Sequence, residues 1–225
     1  MKKHLPNFFT LLNLTLGCLG ALWALQGYLT QAAWCLWLGA LCDFLDGFLA
    51  RLLRAYSPLG QQLDSLADLL TFGWLPASIM YMLISQQATY LPYIVLLLPI
   101  FGALRLARFN LDTQQQYAFT GLPIPAQGLL ISTLPSILTT HPYPWLAHPY
   151  TLAALVIILA LLMVSPLPFM ALKFSTYAWR PNRFRYIFLV VATVLILFLQ
   201  ARGLALSLLG YIASAAYRPP QPPTA

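Results

Sequence analysis

The chain has 225 residues, 60% of them hydrophobic and only 8% charged, with a formal net charge of +7. A water-soluble domain of this size cannot hide that much apolar surface, so lipid must solvate much of it. The positive balance lacks the soluble basic face that a nucleic-acid partner needs, and no such partner is expected.

A membrane helix needs about 20 apolar residues to cross roughly 30 Å of hydrocarbon. By that measure the predicted spans are residues 8–26, 31–50, 63–85, 91–109, 123–140, 150–172 and 186–201. A shorter eighth lies in LALSLLGYIASAAY. The opening MKKHLPNFFTLLNLTLGCLGALWALQG resembles a secretory signal, but its apolar run is long for one and further runs follow. It reads as the first span. Asp112 falls in the polar loop NLDTQQQ, and HPYPWLAHPY, with His141 and His148, reads as an aromatic interfacial loop. The fold class expected is an all-α polytopic bundle of about eight transmembrane helices. It forms one integral-membrane domain over 1–217, with a Pro-rich tail at 218–225 and no visible internal repeat.

Cys18, Cys35 and Cys42 sit in apolar runs without metal-type spacing and read as small hydrophobic side chains. With eight spans, Lys2, Lys3, Arg51, Arg54, Arg105, Arg108, Lys173, Arg180, Arg183, Arg185 and Arg218 fall on one side of the bilayer. Arg202 alone falls opposite. The positive-inside rule makes the crowded side, and the N-terminus, cytoplasmic. The expected location is a multi-pass position in the cell (inner) membrane.

All five acidic residues are aspartates, and Asp43, Asp46, Asp64 and Asp68 lie within 26 residues. The first pair is near the inner end of the second span and the second pair opens the third. Helices joined by a short link are antiparallel neighbours, so the pairs can converge. At about 100° per residue, Asp43, Asp46, Gly47 and Ala50 share one face of their helix, opposite Phe44, Leu45, Phe48 and Leu52. Gly60, Asp64, Asp68 and Thr71 share an arc of about 80° on the next.

Charged carboxylates at membrane depth need partners or a cavity. Arg51 and Arg54 leave a deficit of two positive charges among the four acids, which one or two divalent cations would remove. Oxygen-only donors suit Mg²⁺, Mn²⁺ or Ca²⁺, and hard ions on carboxylates at a lipid–water boundary point to phosphate chemistry. Small residues at 47, 50 and 60 allow a phosphorylated ligand to approach the backbone, and Arg51 offers a forked donor. Each feature alone has a plainer reading: helix packing for the small residues, topology anchoring for the arginines, capping for Asp64. Their coincidence favours a site.

The spacing D-x2-D-G-x2-A-R-x8-G-x3-D-x3-D is met without a gap by Asp43, Asp46, Gly47, Ala50, Arg51, Gly60, Asp64 and Asp68. On these residues the chain resembles the CDP-alcohol phosphotransferases. PNFFTLLN, YSPLGQQLDSLADLLTFGWLPA, GALRLARFN and GLPIPA are similar to the family's bacterial phosphatidylserine synthases, over roughly residues 1–130. Phe48 departs from the arginine or other polar residue of many relatives. The resemblance implies transfer of a phosphatidyl group from CDP-diacylglycerol to L-serine, releasing CMP, without a covalent enzyme intermediate. It implies two metal ions, Mg²⁺ or Mn²⁺ (with Ca²⁺ as a substitute), held by Asp43, Asp46, Asp64 and Asp68. Asp68 would also be the general base, and Gly47, Ala50, Arg51 and Gly60 would shape the nucleotide pocket. Asn7 and Thr10 would touch the cytidine, with helix capping as the alternative for Asn7. Arg105 and Arg108 would hold serine or phosphate, with topology anchoring as the alternative. A homodimer is common in the family. Another acceptor, glycerol 3-phosphate or inositol phosphate, is the nearest rival. A cation-coupled transporter is the remote one, disfavoured because the acids lie in a single hairpin.

Overall fold

A computed structural model describes residues 5–111, 119–141, 143–169 and 179–214. Lys2, Lys3, Asp112, Lys173, Arg218 and the tail at 218–225 lie outside the described residues. Helices α1 (Leu5–Leu25), α2 (Leu29–Leu52), α3 (Pro58–Ser85) and α4 (Leu91–Leu111) are each long and apolar enough to cross a membrane. They are followed by α5 (Ile124–Thr140), the single turn α6 (Pro144–Ala147), α7 (Pro149–Val164), α8 (Trp179–Leu199) and α9 (Ala201–Ser214). Bulky side chains such as Phe8, Leu22, Trp34, Phe44 and Phe198 point outward. In water such a surface would aggregate; in lipid it is the expected skin. The protein is a multi-pass membrane protein.

Helix ends follow local chemistry. α2 closes with the Ala55 amide donating to the Ala50 carbonyl (2.9 Å) and the Arg54 amide to the Arg51 carbonyl (3.3 Å). Arg54 itself adopts φ +49°, in the left-handed region. This is the Schellman arrangement, with arginine where glycine is usual. Ser57 then caps α3, its hydroxyl accepting from the Gly60 amide at 2.9 Å, and Pro58 fills the first helical position. That cap starts α3 at Pro58 rather than at the expected 63. α7 ends at Val164 and not near 172, because Ser165 precedes Pro166 and is held extended. The backbone of α8 begins at Trp179, ahead of the expected 186.

The all-helical expectation needs one addition. β1 (Phe119–Thr120) pairs antiparallel with β2 (Pro168–Phe169). Gly121, at φ +80°, turns the chain out of this pair; its amide donates to the Leu167 carbonyl at 3.0 Å, and a Cβ there would collide with the Met163 carbonyl. Two-residue strands carry too little periodicity to be read from sequence.

α3 is the central element. From Thr71 to Met80 only Trp74 is exposed, and Phe72, Leu75, Ile79 and Met80 form the middle of the core with Ile131 and Val156. α1 lies against α2 and α3 through small residues: Gly17 meets Thr71, Gly20 meets Cys35 and Leu75, and Gly39 meets Thr71 and Asn13. Cys35 and Cys42 are buried and Cys18 is exposed, all three unpaired. At the end of the bundle opposite the aspartates, Tyr90, Tyr93, Trp145 and Tyr150 are exposed, and the Gln87 side chain donates to the Ala147 carbonyl at 3.0 Å. Within HPYPWLAHPY, read from the sequence as a loop, Pro144–Ala147 form α6 and Pro149 opens α7.

A Cβ on Gly17 would lie 2.9 Å from the Thr71 backbone, whereas one on Gly210 meets nothing within 4 Å. Gly17→Ala should therefore cost about 1–3 kcal/mol of stability through overpacking. Thermal unfolding in detergent should show a clear fall for Gly17→Ala and none for Gly210→Ala.

Candidate active site

The two aspartate pairs meet because the corner from Leu53 to Ser57 is short and closed at both ends by the caps described above. It folds the end of α2 back onto the start of α3. Asp43, Asp64 and Asp68 each offer a carboxylate oxygen, and these atoms lie within 4.8 Å of one another. One Asp68 oxygen, Oδ1, is sealed from solvent and has no hydrogen-bond partner. Asp46 stands beside the triad and is 5% exposed. Its Oδ2 accepts from the Thr10 hydroxyl of α1 at 2.8 Å.

This arrangement fits a hard divalent cation. The donors are all oxygen, and carboxylates so close, at the edge of an apolar bundle, repel one another unless positive charge lies among them. The fit is made of protein groups that have little other reason to be gathered.

The other sequence-selected residues separate into distinct environments. Gly47 opens onto free space: a Cβ there would meet only Arg51 Nη2, at 4.0 Å. Among the described residues no neighbouring helix fills that space, so packing between them does not explain this glycine. Gly60 is different, since a Cβ would come within 3.0 Å of both Asn7 Oδ1 and Ser57 Oγ. Asn7 therefore lies against the start of α3, and Thr10 is 4% exposed with its hydroxyl on Asp46. Ala50 is partly buried and gives its carbonyl to the α2 corner, while Arg51 is exposed.

Arg105 reaches the same end of the bundle from α4. It lies within Coulombic range of Asp68 and of Tyr211 on α9, and its Nε is enclosed without a hydrogen-bond partner. Arg108 is exposed one turn on. The Asn110 side chain donates to the Ser65 hydroxyl at 2.9 Å, fastening the end of α4 to α3. Ser57, Tyr211 and Asn110 were not selected from the sequence. Ser57 was readable as Ser-Pro before a helical pattern; Tyr211 in an apolar run gave no such signal, and Asn110 stood only as the end of GALRLARFN, with no role of its own.

The sequence profile of CDP-alcohol phosphatidyltransferases matches residues 3–198. The chain belongs to that family. Among its relatives, the CDP-diacylglycerol–serine O-phosphatidyltransferase of Helicobacter pylori is 31% identical over 208 residues, 90% of this chain and 86% of that one. The Bacillus subtilis protein of the same name is 35% identical over 136 residues, 59% of this chain and 75% of its own. An archaetidylserine synthase of Methanothermobacter thermautotrophicus is 36% identical over 135 residues, covering 57% of this chain and 56% of that protein. As a CDP-alcohol phosphatidyltransferase, the chain belongs to phospholipid biosynthesis and to a family that uses divalent cations.

Thr10 donates its hydroxyl to the Asp46 carboxylate across the α1–α2 contact. Thr10→Val keeps its shape and removes the donor, losing a charge-assisted hydrogen bond worth about 1.5–3 kcal/mol. CMP release from CDP-diacylglycerol should fall roughly tenfold or more by the same magnitude, and Thr10→Ser should retain most of it.

Proposed function

We propose that the protein transfers the phosphatidyl group of CDP-diacylglycerol to the hydroxyl of L-serine, yielding phosphatidylserine and CMP. The observation that carries this reading is the gathering of Asp43, Asp64 and Asp68 oxygens within 4.8 Å at one end of a membrane bundle. Serine as the acceptor is supported by the serine O-phosphatidyltransferases to which the chain is 31% and 35% identical.

Asp43, Asp46, Asp64 and Asp68 would hold the metal. Bound Mg²⁺ or Mn²⁺, two ions in our reading, would neutralise charge on the pyrophosphate and ease departure of CMP. The space beside Gly47 admits the nucleotide diphosphate, and Arg51, exposed at its edge, donates to a phosphate. Ala50 and Gly60 complete the small-residue wall. Asn7, against Gly60, borders the same space, and Thr10 acts through Asp46. Acyl chains of the donor lie along the lipid-facing helices.

Asp68 accepts the proton of the serine hydroxyl, within about 2.6–3.2 Å or through one water. The serine oxygen then forms its bond to the phosphorus that carries diacylglycerol, and the bond from that phosphorus to the cytidylate oxygen breaks. CMP leaves with the bonding electrons. Arg105, enclosed near Asp68, is placed to receive the serine carboxylate, with Arg108 at the outer edge. In this reading about eight helices cross the bilayer, the site faces the cytoplasm, and the protein resides in the cell membrane, where a homodimer is expected.

The deciding experiment supplies purified protein with CDP-diacylglycerol, Mn²⁺ or Mg²⁺, and serine, glycerol 3-phosphate or inositol phosphate, and follows CMP. Serine should be preferred and chelation by EDTA should abolish release. Preference for another alcohol removes serine and leaves the family chemistry standing. Asp46→Asn should abolish transfer in a protein that still inserts and folds; near-normal turnover would contradict the metal assignment. Arg51→Ala should raise the KM for CDP-diacylglycerol more than that for serine.

A further inference from the structure

The backbone of α3 is not a uniform α-helix. From Leu69 to Trp74, beginning at the residue after Asp68, it runs as a π-helix, and the Leu75 amide donates back to the Leu70 carbonyl. π-turns insert an extra residue into the helical ladder and occur often at functional sites. Here the sequence supplies a local cause. In an α-helix the Phe72 carbonyl would accept from residue 76, but that residue is Pro76, which has no amide hydrogen. Phe72 is fully buried, so an unmet carbonyl there is costly.

The missing donor comes from another helix. Gln127 of α5, also fully buried, donates its side-chain Nε2–H to the Phe72 carbonyl. Gly128 makes the approach possible, because a Cβ there would lie 3.2 Å from both Phe72 Cα and its carbonyl oxygen. On the other side Thr71 donates its hydroxyl to the Asn13 carbonyl of α1 at 2.9 Å. The π-turn is thus gripped from two sides, one turn below the metal-site aspartates.

We propose that Gln127 is a positioning residue for the carboxylate triad: by supplying the hydrogen that Pro76 lacks, it fixes the turn that aims Asp68 at Asp43. This rests on the reading of the triad as a metal site. It does not depend on the acceptor alcohol.

The test uses the full-length protein in detergent and reads the Mn²⁺ concentration giving half-maximal thermal stabilisation, with no substrate present. Gln127→Met keeps the length and removes the donor. It should raise that concentration roughly tenfold or more, as outer-shell changes do. In turnover assays, kcat at limiting Mn²⁺ should fall, excess Mn²⁺ should restore much of it, and the KM for the acceptor should stay put. Ser132→Ala, which removes the 2.8 Å bond from Trp37 farther along α5, should lower the melting temperature without moving the Mn²⁺ midpoint. If Gln127→Met fails to fold, Gly128→Ala takes its place by pressing on the same carbonyl, and should shift the midpoint upward. An unmoved midpoint in the folded variant overturns the inference, whatever happens to the melting temperature. No Mn²⁺ stabilisation of the parent protein removes the metal-site reading and this inference with it.

Discussion

Carboxylates gathered at the edge of a hydrocarbon-embedded bundle repel one another, and that repulsion must be met by fixed geometry and by cations. Asp43, Asp64 and Asp68 come from two helices and still place oxygens within 4.8 Å. Left to itself, such a cluster would splay the helices apart. What prevents this is packing farther down: Gly17 lets the Thr71 backbone come up against α1, and Gly39 makes room on α2 for the Thr71 and Asn13 side chains. Thr10 adds a direct tie between α1 and Asp46. The apolar seam holds the acids in place, and the acids give the seam its chemical use.

The division of labour along α3 follows from this. Its first turns carry Asp64 and Asp68 and are partly exposed, whereas its second half is buried almost all round. A single helix passes from a polar, solvent-reached site into the centre of a membrane bundle. The π-turn sits at that transition, and both of its side-chain ties, to Asn13 and from Gln127, run to neighbouring helices.

Much of this was legible in the sequence. Apolar runs marked the four helices long enough to cross, because length and hydropathy decide crossing. The aspartate spacing was legible because two helical faces and a short corner impose it. Less was visible where the cause lay between distant segments. Nothing in LLTFGW announces a π-turn; Pro76 reads as one more proline in a membrane helix, where prolines are tolerated. Gln127 reads as a lone polar residue until Phe72 is seen beside it. Arg54 in a left-handed conformation was hidden too, since glycine or asparagine is the residue that signals such an end. The wheel reading of Gly47 and Gly60 treated them alike, yet one opens onto space and the other is covered by Asn7 and Ser57.

The corner between α2 and α3 has a consequence for how such chains can diverge. Its end bonds, from Ala55 to Ala50 and from Gly60 to Ser57, leave no slack between the two acidic faces. One added residue there would break the spacing between the two caps and carry the second pair of aspartates away from the first. The length of this segment works as a ruler between the two acidic faces, held by the caps at either end.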